Sequence, residues 1–401
     1  VKRLVGLKSY PRAYFELLLS ALTLIMGMSL PSAFLPIFAR ELDPSELLVG
    51  LVSSAWFISR IFTELPSGIL ADRLGRRRLL VGGLALSAVG AFTCSSASLI
   101  HLLILGRALW GLGTGLFFIS SSATIFDLFK SKVRGQALGT FQAIQFMGSL
   151  IGAPIGSFMV EATGYNGVFL VASMLMVCSF LVAFLSKSLK QTEIKTAGQD
   201  VSLSLREVLP SIKNWGLTSL YINSLTRMLI WVGIAGTVFP LFLNLELGVG
   251  VEYIGLVISS RTVGIILATA ISGYMSDKTG RKPMIVLGMI TEACSLYAYT
   301  LAASFEAFLL IGLMEGFGRG MVLTSMMVML SEVAPPKFRG GAIGMYRTFM
   351  DVGGFIGPLL FMEIFGKLGS HSAFFSAIGV TAASVALILT IKAPEQMKEE
   401  D

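Results

Sequence analysis

The sequence predicts an all-α membrane protein: twelve transmembrane helices arranged as two pseudo-symmetric six-helix bundles. Apolar runs long enough to cross a bilayer recur along the whole chain. Short clusters of Lys and Arg fall between them on alternate turns. The second half also repeats the first at a constant spacing of 205 residues.

Composition excludes a water-soluble globule. Of 401 residues, 54% are hydrophobic and only 14% charged, with a mean hydropathy of +0.78, whereas a soluble domain carries roughly 25% charge. The net charge of +7 does not indicate nucleic acid, because the basic residues are spread among loops rather than gathered on one face. Cys94, Cys178 and Cys294 lie inside apolar runs and show no metal or redox spacing. With His101 and His371 the only histidines, little is left from which to build a metal or nucleophile centre, so an enzyme is not expected.

Stretches of about 20 apolar residues fall at 13–38, 46–71, 79–98, 101–128, 136–161, 167–187, 215–243, 252–275, 283–303, 305–330, 341–365 and 371–392. The first is too long for the core of a cleaved signal and is expected to stay as an anchor. Segments 1–12, 72–78, 129–135, 186–213, 276–282 and 331–340 hold nearly all the Lys and Arg outside these spans. The positive-inside rule therefore places both termini in the cytoplasm, with the chain a multi-pass protein of the cytoplasmic membrane. The one long polar interval, Ser186 to Lys213, lies at the middle of the chain. It divides the protein into an N-terminal bundle (1–187), a cytoplasmic linker (188–213) and a C-terminal bundle (214–401).

The repeat is dense. Gly50/Gly255, Leu51/Leu256, Val52/Val257, Gly68/Gly273, Asp72/Asp277, Gly75/Gly280 and Arg76/Arg281 all match at the offset of 205. So do Gly111/Gly316, Gly113/Gly318, Gly115/Gly320, Arg134/Arg339, Gly135/Gly340, Gly139/Gly344, Gly148/Gly353 and Gly152/Gly357. Six spans per unit leave both units facing the same way, as parallel repeats about an axis normal to the membrane.

Gly68-Ile-Leu-Ala-Asp72-Arg-Leu-Gly75-Arg76-Arg-Arg sets a carboxylate, a helix-breaking glycine and several arginines between the second and third spans, and Gly273 to Pro283 copies it. Asp72 closes a helix end, while the start of the eleventh span near Gly340 to Gly344 offers free N–H groups and a positive helix dipole. An anion there would clasp the halves together on the cytoplasmic side. These loops, with Arg107-Ala-Leu-Trp-Gly111-Leu-Gly113 and Gly148-Ser-Leu-Ile-Gly152-Ala-Pro154-Ile-Gly156, resemble the major facilitator superfamily of secondary transporters, and most closely its proton-coupled drug and solute antiporter branch. The resemblance covers essentially the whole chain. It implies the major facilitator fold, working by rocker-switch alternating access, and a latch in which Asp72 bonds the start of the eleventh span and Arg76 pairs with Asp127. The second copy of that latch would use Asp277, Arg281 and Glu332. It also implies a role for Arg107 in proton coupling or substrate binding.

The glycine-proline element of the fifth span resembles the antiporter motif with its proline one place late, since Ala153 precedes Pro154. The eleventh span carries Gly353-Gly-Phe-Ile-Gly357-Pro358. Close packing and a helix bend are expected at Gly148, Gly152, Pro154, Gly357 and Pro358.

Charges inside the spans supply the candidate site. Arg60 and Glu64, Glu315 and Arg319, and Arg347 and Asp351 each lie four apart, which puts each pair on one helix face. Arg227 and Arg261 have no local partner, so each needs a carboxylate from another helix, water or an anionic substrate. Asp351, Glu315 and Glu64 are the candidate proton carriers; Glu292 is also mid-span but is set aside, because the resemblance implies a peripheral ninth span. Family antiporters often carry an acid deep in the first span, where this chain has only Glu16 near one end. Arg60, Trp110, Arg227, Trp231, Arg261, Arg319 and Arg347 are the candidate substrate cavity.

The reading is proton-coupled efflux of small amphipathic molecules by a monomer that needs no cofactor beyond a proton gradient. Its partners would be a small-molecule substrate, protons and the lipid bilayer. Six intramembrane arginines (60, 107, 227, 261, 319, 347) against four acids (64, 292, 315, 351) supply the alternative, transport or exchange of small organic anions.

Overall fold

The computed structural model describes residues 10–64, 75–196, 214–335 and 339–391, and every regular element among them is helical. The first span is built from α1 (Arg12–Ser29), a 3-10 turn at Leu30–Ala33 and α2 (Leu35–Leu42). Pro31 and Pro36 stand in the first turns of the later pieces, where a missing N–H costs no hydrogen bond. Then follow α3 (Glu46–Glu64), α4 (Arg76–Ser95), α5 (Ile100–Leu128), α6 (Ser131–Leu185) and the short α7 (Lys187–Thr196). The second half contains α8 (Trp215–Ile230), α9 (Val251–Thr279), α10 (Arg281–Tyr299), α11 (Phe305–Val333) and α12 (Arg339–Leu389). Beyond Ile230 the seventh span widens into π-helix at Trp231–Val238 and again at Phe242–Glu246.

Nine of the described helices are long and apolar enough to cross a membrane. Two of them, α6 and α12, are each a pair of spans joined at a single glycine with positive φ, Gly164 (67°) and Gly369 (82°). The remaining span is α10, which carries Arg281, Lys282 and Glu292. The linker begins as helix α7, where Ser186 Oγ accepts the N–H of Leu189 at 2.9 Å. Residues 197–213 of the expected linker, Gly68 and Asp72 of the expected latch, and the side chain of Glu64 lie outside the description.

We call the end of the bundle where α1 begins and α12 finishes the terminus face, and the opposite end the far face. At the terminus face Gly75 and Gly280 turn the chain with φ of 84° and 90°, a backbone region that side chains resist. The next basic residues cap the last helix of each half. Arg77 donates to the carbonyl of Phe184 at 2.5 Å, and Lys282 to the carbonyls of Leu389 at 2.6 Å and Ile391 at 2.9 Å. Such cations satisfy carbonyls that a helix C-terminus leaves open.

The repeat shapes packing as well as sequence, at the offset of 205 for most contacts and with a shift of two residues where α1 and α8 are met. A side chain at Gly111 would strike the carbonyl of Trp56, and one at Gly316 that of Arg261. Gly113 lies on the carbonyl of Gly83, as Gly318 lies on that of Gly288. Gly148 and Gly152 meet the α1 backbone at Leu22 and Met26, while Gly353 and Gly357 meet the α8 backbone at Leu225 and Leu229. Helical dihedrals run through Pro154 and Pro358, and the interruptions fall at Gly164 and Gly369. These glycines serve close approach, and the chain reverses elsewhere.

The halves meet along two seams related by the same offset. In one, Ser54 Oγ donates to the carbonyl of Phe355 at 2.6 Å; in the other, Ser259 Oγ donates to that of Leu150 at 3.2 Å. A Cβ at Gly50 would lie 3.0 Å from the Pro358 carbonyl oxygen, and one at Gly255 would lie 3.0 Å from that of Ala153. A buried apolar cluster crosses the halves from Val52 and Phe57 to Phe239 and Phe361. Nearer the terminus face, Leu217, Tyr221, Met326, Leu330 and Ile388 form a separate cluster within the C-terminal half. There Gly139 on α6, Gly273 on α9 and Gly344 on α12 meet nothing within 4 Å among the described residues.

Leucine at Gly111 or at Gly316 should therefore lower stability by about 3 kcal/mol or more, because the obstruction is backbone that cannot repack. Gly379→Ala, where the glycine meets nothing within 4 Å, should leave thermal unfolding of the purified protein nearly unchanged. Equal effects from the crowded and open positions would contradict the packing described.

Candidate functional site

The interior charges lie mainly in the C-terminal half. The close approach of α9 and α11 at Gly316 brings Arg261 against Glu315, with Nε 2.6 Å from Oε2. Both are sealed, with side chains 2% and 6% exposed. Tyr299, from the far end of α10, donates to Glu315 at 2.8 Å and accepts from Arg261 Nε at 3.3 Å. Arg261 Nη1 reaches the carbonyl of Ala235 at 3.1 Å in the π-helical stretch, and its guanidinium stacks 4.0 Å from the centroid of Phe239. Widening a helix to π geometry displaces backbone carbonyls, which is how such stretches come to serve sites.

Arg227 and Glu292 form a second tie, bidentate at 2.8 and 2.6 Å, from α8 to α10. Planar fork against carboxylate is the strong form of this pair, and both side chains keep slight exposure, 11% and 14%. Setting Glu292 aside is thus corrected: the ninth span turns it inward, and it supplies the carboxylate that Arg227 lacked.

Arg319 lies midway along α11, with its guanidinium 3.7 Å from the centroid of Trp231. It feels the charges of Arg227, Glu292 and Glu315 and the phenol of Tyr346. The expected pairing of Glu315 with Arg319 is corrected. A spacing of four puts two residues on one face, but the glycine contact puts Arg261 nearer to Glu315 than a turn of its own helix does.

A third tie joins the halves. Arg60 on α3 approaches Asp351 on α12, Nη1 to Oδ1 at 3.5 Å, and stacks on Trp56 at 4.7 Å. Asp351 is 1% exposed, while Arg347 is exposed on the same helix. The pairs expected within α3 and within α12 do not account for this contact, which needs the seam that Gly354 forms against Phe57.

In the N-terminal half Arg107 donates to the carbonyl of Val52 at 3.4 Å and lies 5.4 Å from the ring of Trp110. Trp110 is fully buried against Gly90 and Phe169. Its assignment to a substrate cavity is corrected, since it belongs to the core of the bundle. Arg261 and Glu315 are likewise sealed off, whereas Trp231, Arg227 and Arg319 keep partial exposure.

At the terminus face Arg76 contacts Asp127 and donates to the carbonyl of Ala123 at 3.4 Å. The second copy brings Arg281 to Glu332 at 3.2 Å, to Asp277 at 2.5 Å and to Ser276 at 2.8 Å. No group of His, Cys, Asp and Glu able to hold a metal occurs among the described residues. Tyr299 and the Ala235 carbonyl were missed from the sequence, because neither a tyrosine at a helix end nor a π-helical carbonyl carries a local signal.

Comparison with known proteins places this geometry. The family model described as Major Facilitator Superfamily matches residues 17–238 and again 220–401. The chain is 26% identical over 362 residues to the multi-drug resistance efflux pump PmrA of Streptococcus pneumoniae, covering 87% of this chain and 88% of that one. It is 24% identical to multidrug resistance protein 1 of Bacillus subtilis, over 93% of this chain and 94% of the relative. It is also 24% identical to the quinolone resistance protein NorA of Staphylococcus aureus, over 96% and 98%.

Removing one partner of the sealed pair, by Arg261→Met or Glu315→Leu alone, should cost about 3–5 kcal/mol, because a buried charge is left unmatched. The double replacement should recover most of that loss in thermal unfolding of the purified protein. Single variants as stable as wild type, or a double variant worse than either single, would contradict this reading of the pair.

Proposed function

Because the chain belongs to the Major Facilitator Superfamily, whose members are secondary transporters rather than enzymes, we propose that it exports small amphipathic molecules in exchange for protons. Its relatives carry the names of efflux pumps and of multidrug and quinolone resistance proteins along nearly their whole length. In this reading the protein works as a monomer in the cytoplasmic membrane, with both termini and the terminus face on the cytoplasmic side. The proton gradient is its only energy source.

The observation that carries the reading is an asymmetry between the two seams. The hydrogen bonds Ser54 to Phe355 and Ser259 to Leu150 are mates at the offset of 205, but the Arg60–Asp351 pair has no mate. The positions that would copy it hold Ile265 and Phe146. A seam of glycines and serines can part and rejoin with little cost in charge. An ion pair at its inner end cannot, unless one partner is neutralised. With the far face open Asp351 stands away from Arg60 and takes up a proton from outside, and that neutral carboxyl favours the open arrangement. When the far face closes, Arg60 returns to Asp351 and its charge expels the proton to the cytoplasmic side, so proton and exported molecule cross in opposite directions. Ligand and proton are coupled because both act on one two-state element, the rocking of the bundles.

The other carboxylates have different parts in this scheme. Glu315 is locked between Arg261 and Tyr299 and serves to hold α9, α10 and α11 as one body. The Arg76–Asp127 and Arg281–Glu332 contacts brace the cytoplasmic end of each bundle, so that each half moves as a unit.

Asp351→Asn should abolish movement of a fluorescent quinolone driven by a pH gradient in proteoliposomes, by at least about tenfold. Exchange of labelled for unlabelled compound without a gradient should persist. Gradient-driven transport at the wild-type rate in this variant would place the coupling group elsewhere.

A further inference from the structure

The interior charges of the C-terminal half do not balance. Among the described residues Arg227 is matched by Glu292 and Arg261 by Glu315, whereas the charge of Arg319, midway along α11, has no such match. Among the described residues no carboxylate lies within 4 Å of it and no hydrogen bond takes up its N–H groups; its contact is the face of Trp231 at 3.7 Å. An arginine at mid-depth in a membrane protein is costly unless it meets water or a partner. The nitrogens that are sealed without a partner include Arg261 Nη2 but none of Arg319, so the edge of the Arg319 fork opens on accessible space. Beside it, Trp231 is only partly buried. The position 205 residues earlier is Thr114, so the duplicated scaffold does not require this charge.

A guanidinium with one face on an indole and its edge free offers two kinds of contact at once. The edge presents parallel N–H donors that match a carboxylate, and the exposed indole offers an apolar aromatic wall. Arg227, at 11% exposure, is already engaged with Glu292 and does not compete for the ligand.

Resting on the reading of the chain as an exporter of amphipathic molecules, we propose that Arg319 and Trp231 form a subsite for aromatic amphiphiles that carry an acidic group. The carboxylate takes the free edge of Arg319 and the ring lies beside Trp231. A cationic amphiphile is disfavoured at this point by the same unmatched charge.

The test is calorimetric titration of the purified full chain with 1-naphthaleneacetate and with its neutral primary amide. Wild type should bind the acid about tenfold or more tightly than the amide, the worth of a charge-assisted hydrogen bond. Arg319→Gln should erase that preference while leaving the amide affinity within about twofold. Arg319→Lys, which keeps the charge but loses the planar fork, should keep only part of it. Equal binding of acid and amide by wild type, or an undiminished preference in either variant, would overturn the subsite. Amide binding by each variant reports that it is folded. Failure of wild type to move any amphiphile under a pH gradient, with the acid preference intact, would count against export and leave the subsite standing.

Discussion

Backbone laid directly on backbone at glycine is the constraint from which the rest of this structure follows. Lipid is as apolar as leucine, so helices in a bilayer gain little from hiding apolar side chains against one another, and association depends on close fit and on hydrogen bonds. Gly111 on the Trp56 carbonyl and Gly316 on the Arg261 carbonyl set the distance and register of α3 with α5 and of α9 with α11. Gly152 on α1 and Gly357 on α8 do the same for the helices that flank the centre. Once those registers are set, the polar residues have no freedom about whom they meet. Arg261 faces Glu315 because the glycine one residue beyond Glu315 brings the two backbones together.

Duplication preserved this scaffold and not its chemistry. The carbonyl contacts at Gly111 and Gly316 and at Gly113 and Gly318, the positive-φ glycines at 75 and 280 and at 164 and 369, and the capping of Phe184 by Arg77 and Leu389 by Lys282 all recur at one offset. The residues 205 places before Arg227, Arg261, Glu292, Glu315 and Arg319 are Leu22, Trp56, Ser87, Trp110 and Thr114. Among the described residues one half thus keeps few interior charges, Arg60 and Arg107, and the other holds a charged interior built on the same frame. Asp351 reaches across to Arg60, so the coupling between halves is also unequal. A symmetric frame gives two related orientations of the bundles; unequal charges give a proton and a ligand something to distinguish between them.

Much of this was legible from the residues alone. Span count, duplication and the family resemblance rest on hydrophobic length, basic loops and matched glycines, which are local or periodic signals. Partners across helices were not legible. Spacing of four suggested Glu315 with Arg319, whereas the contact found joins α9 to α11, and Asp351 reaches across to α3. Spacing reports what shares a face, and the partner is decided by which other helix a glycine admits. Glu292 was discounted because of the place its span occupies in the fold, yet it is the direction of one face of α10 that decides its role. The π-helical stretch at Trp231–Val238, which delivers the Ala235 carbonyl to Arg261, has no signature in a run of apolar residues.

The central claim is that the two bundles move as rigid bodies, closing at one face as they open at the other. Spin labels at Leu47 and Leu368, both exposed at the far face, would report one end. Labels at Gly139 and Gly273, which meet nothing within 4 Å, would report the other. Pulsed dipolar distances in nanodiscs, taken at high and low pH, test the claim most directly. The account predicts that acidification lengthens the first distance and shortens the second together. A change at one face alone, or no change at either, would contradict it.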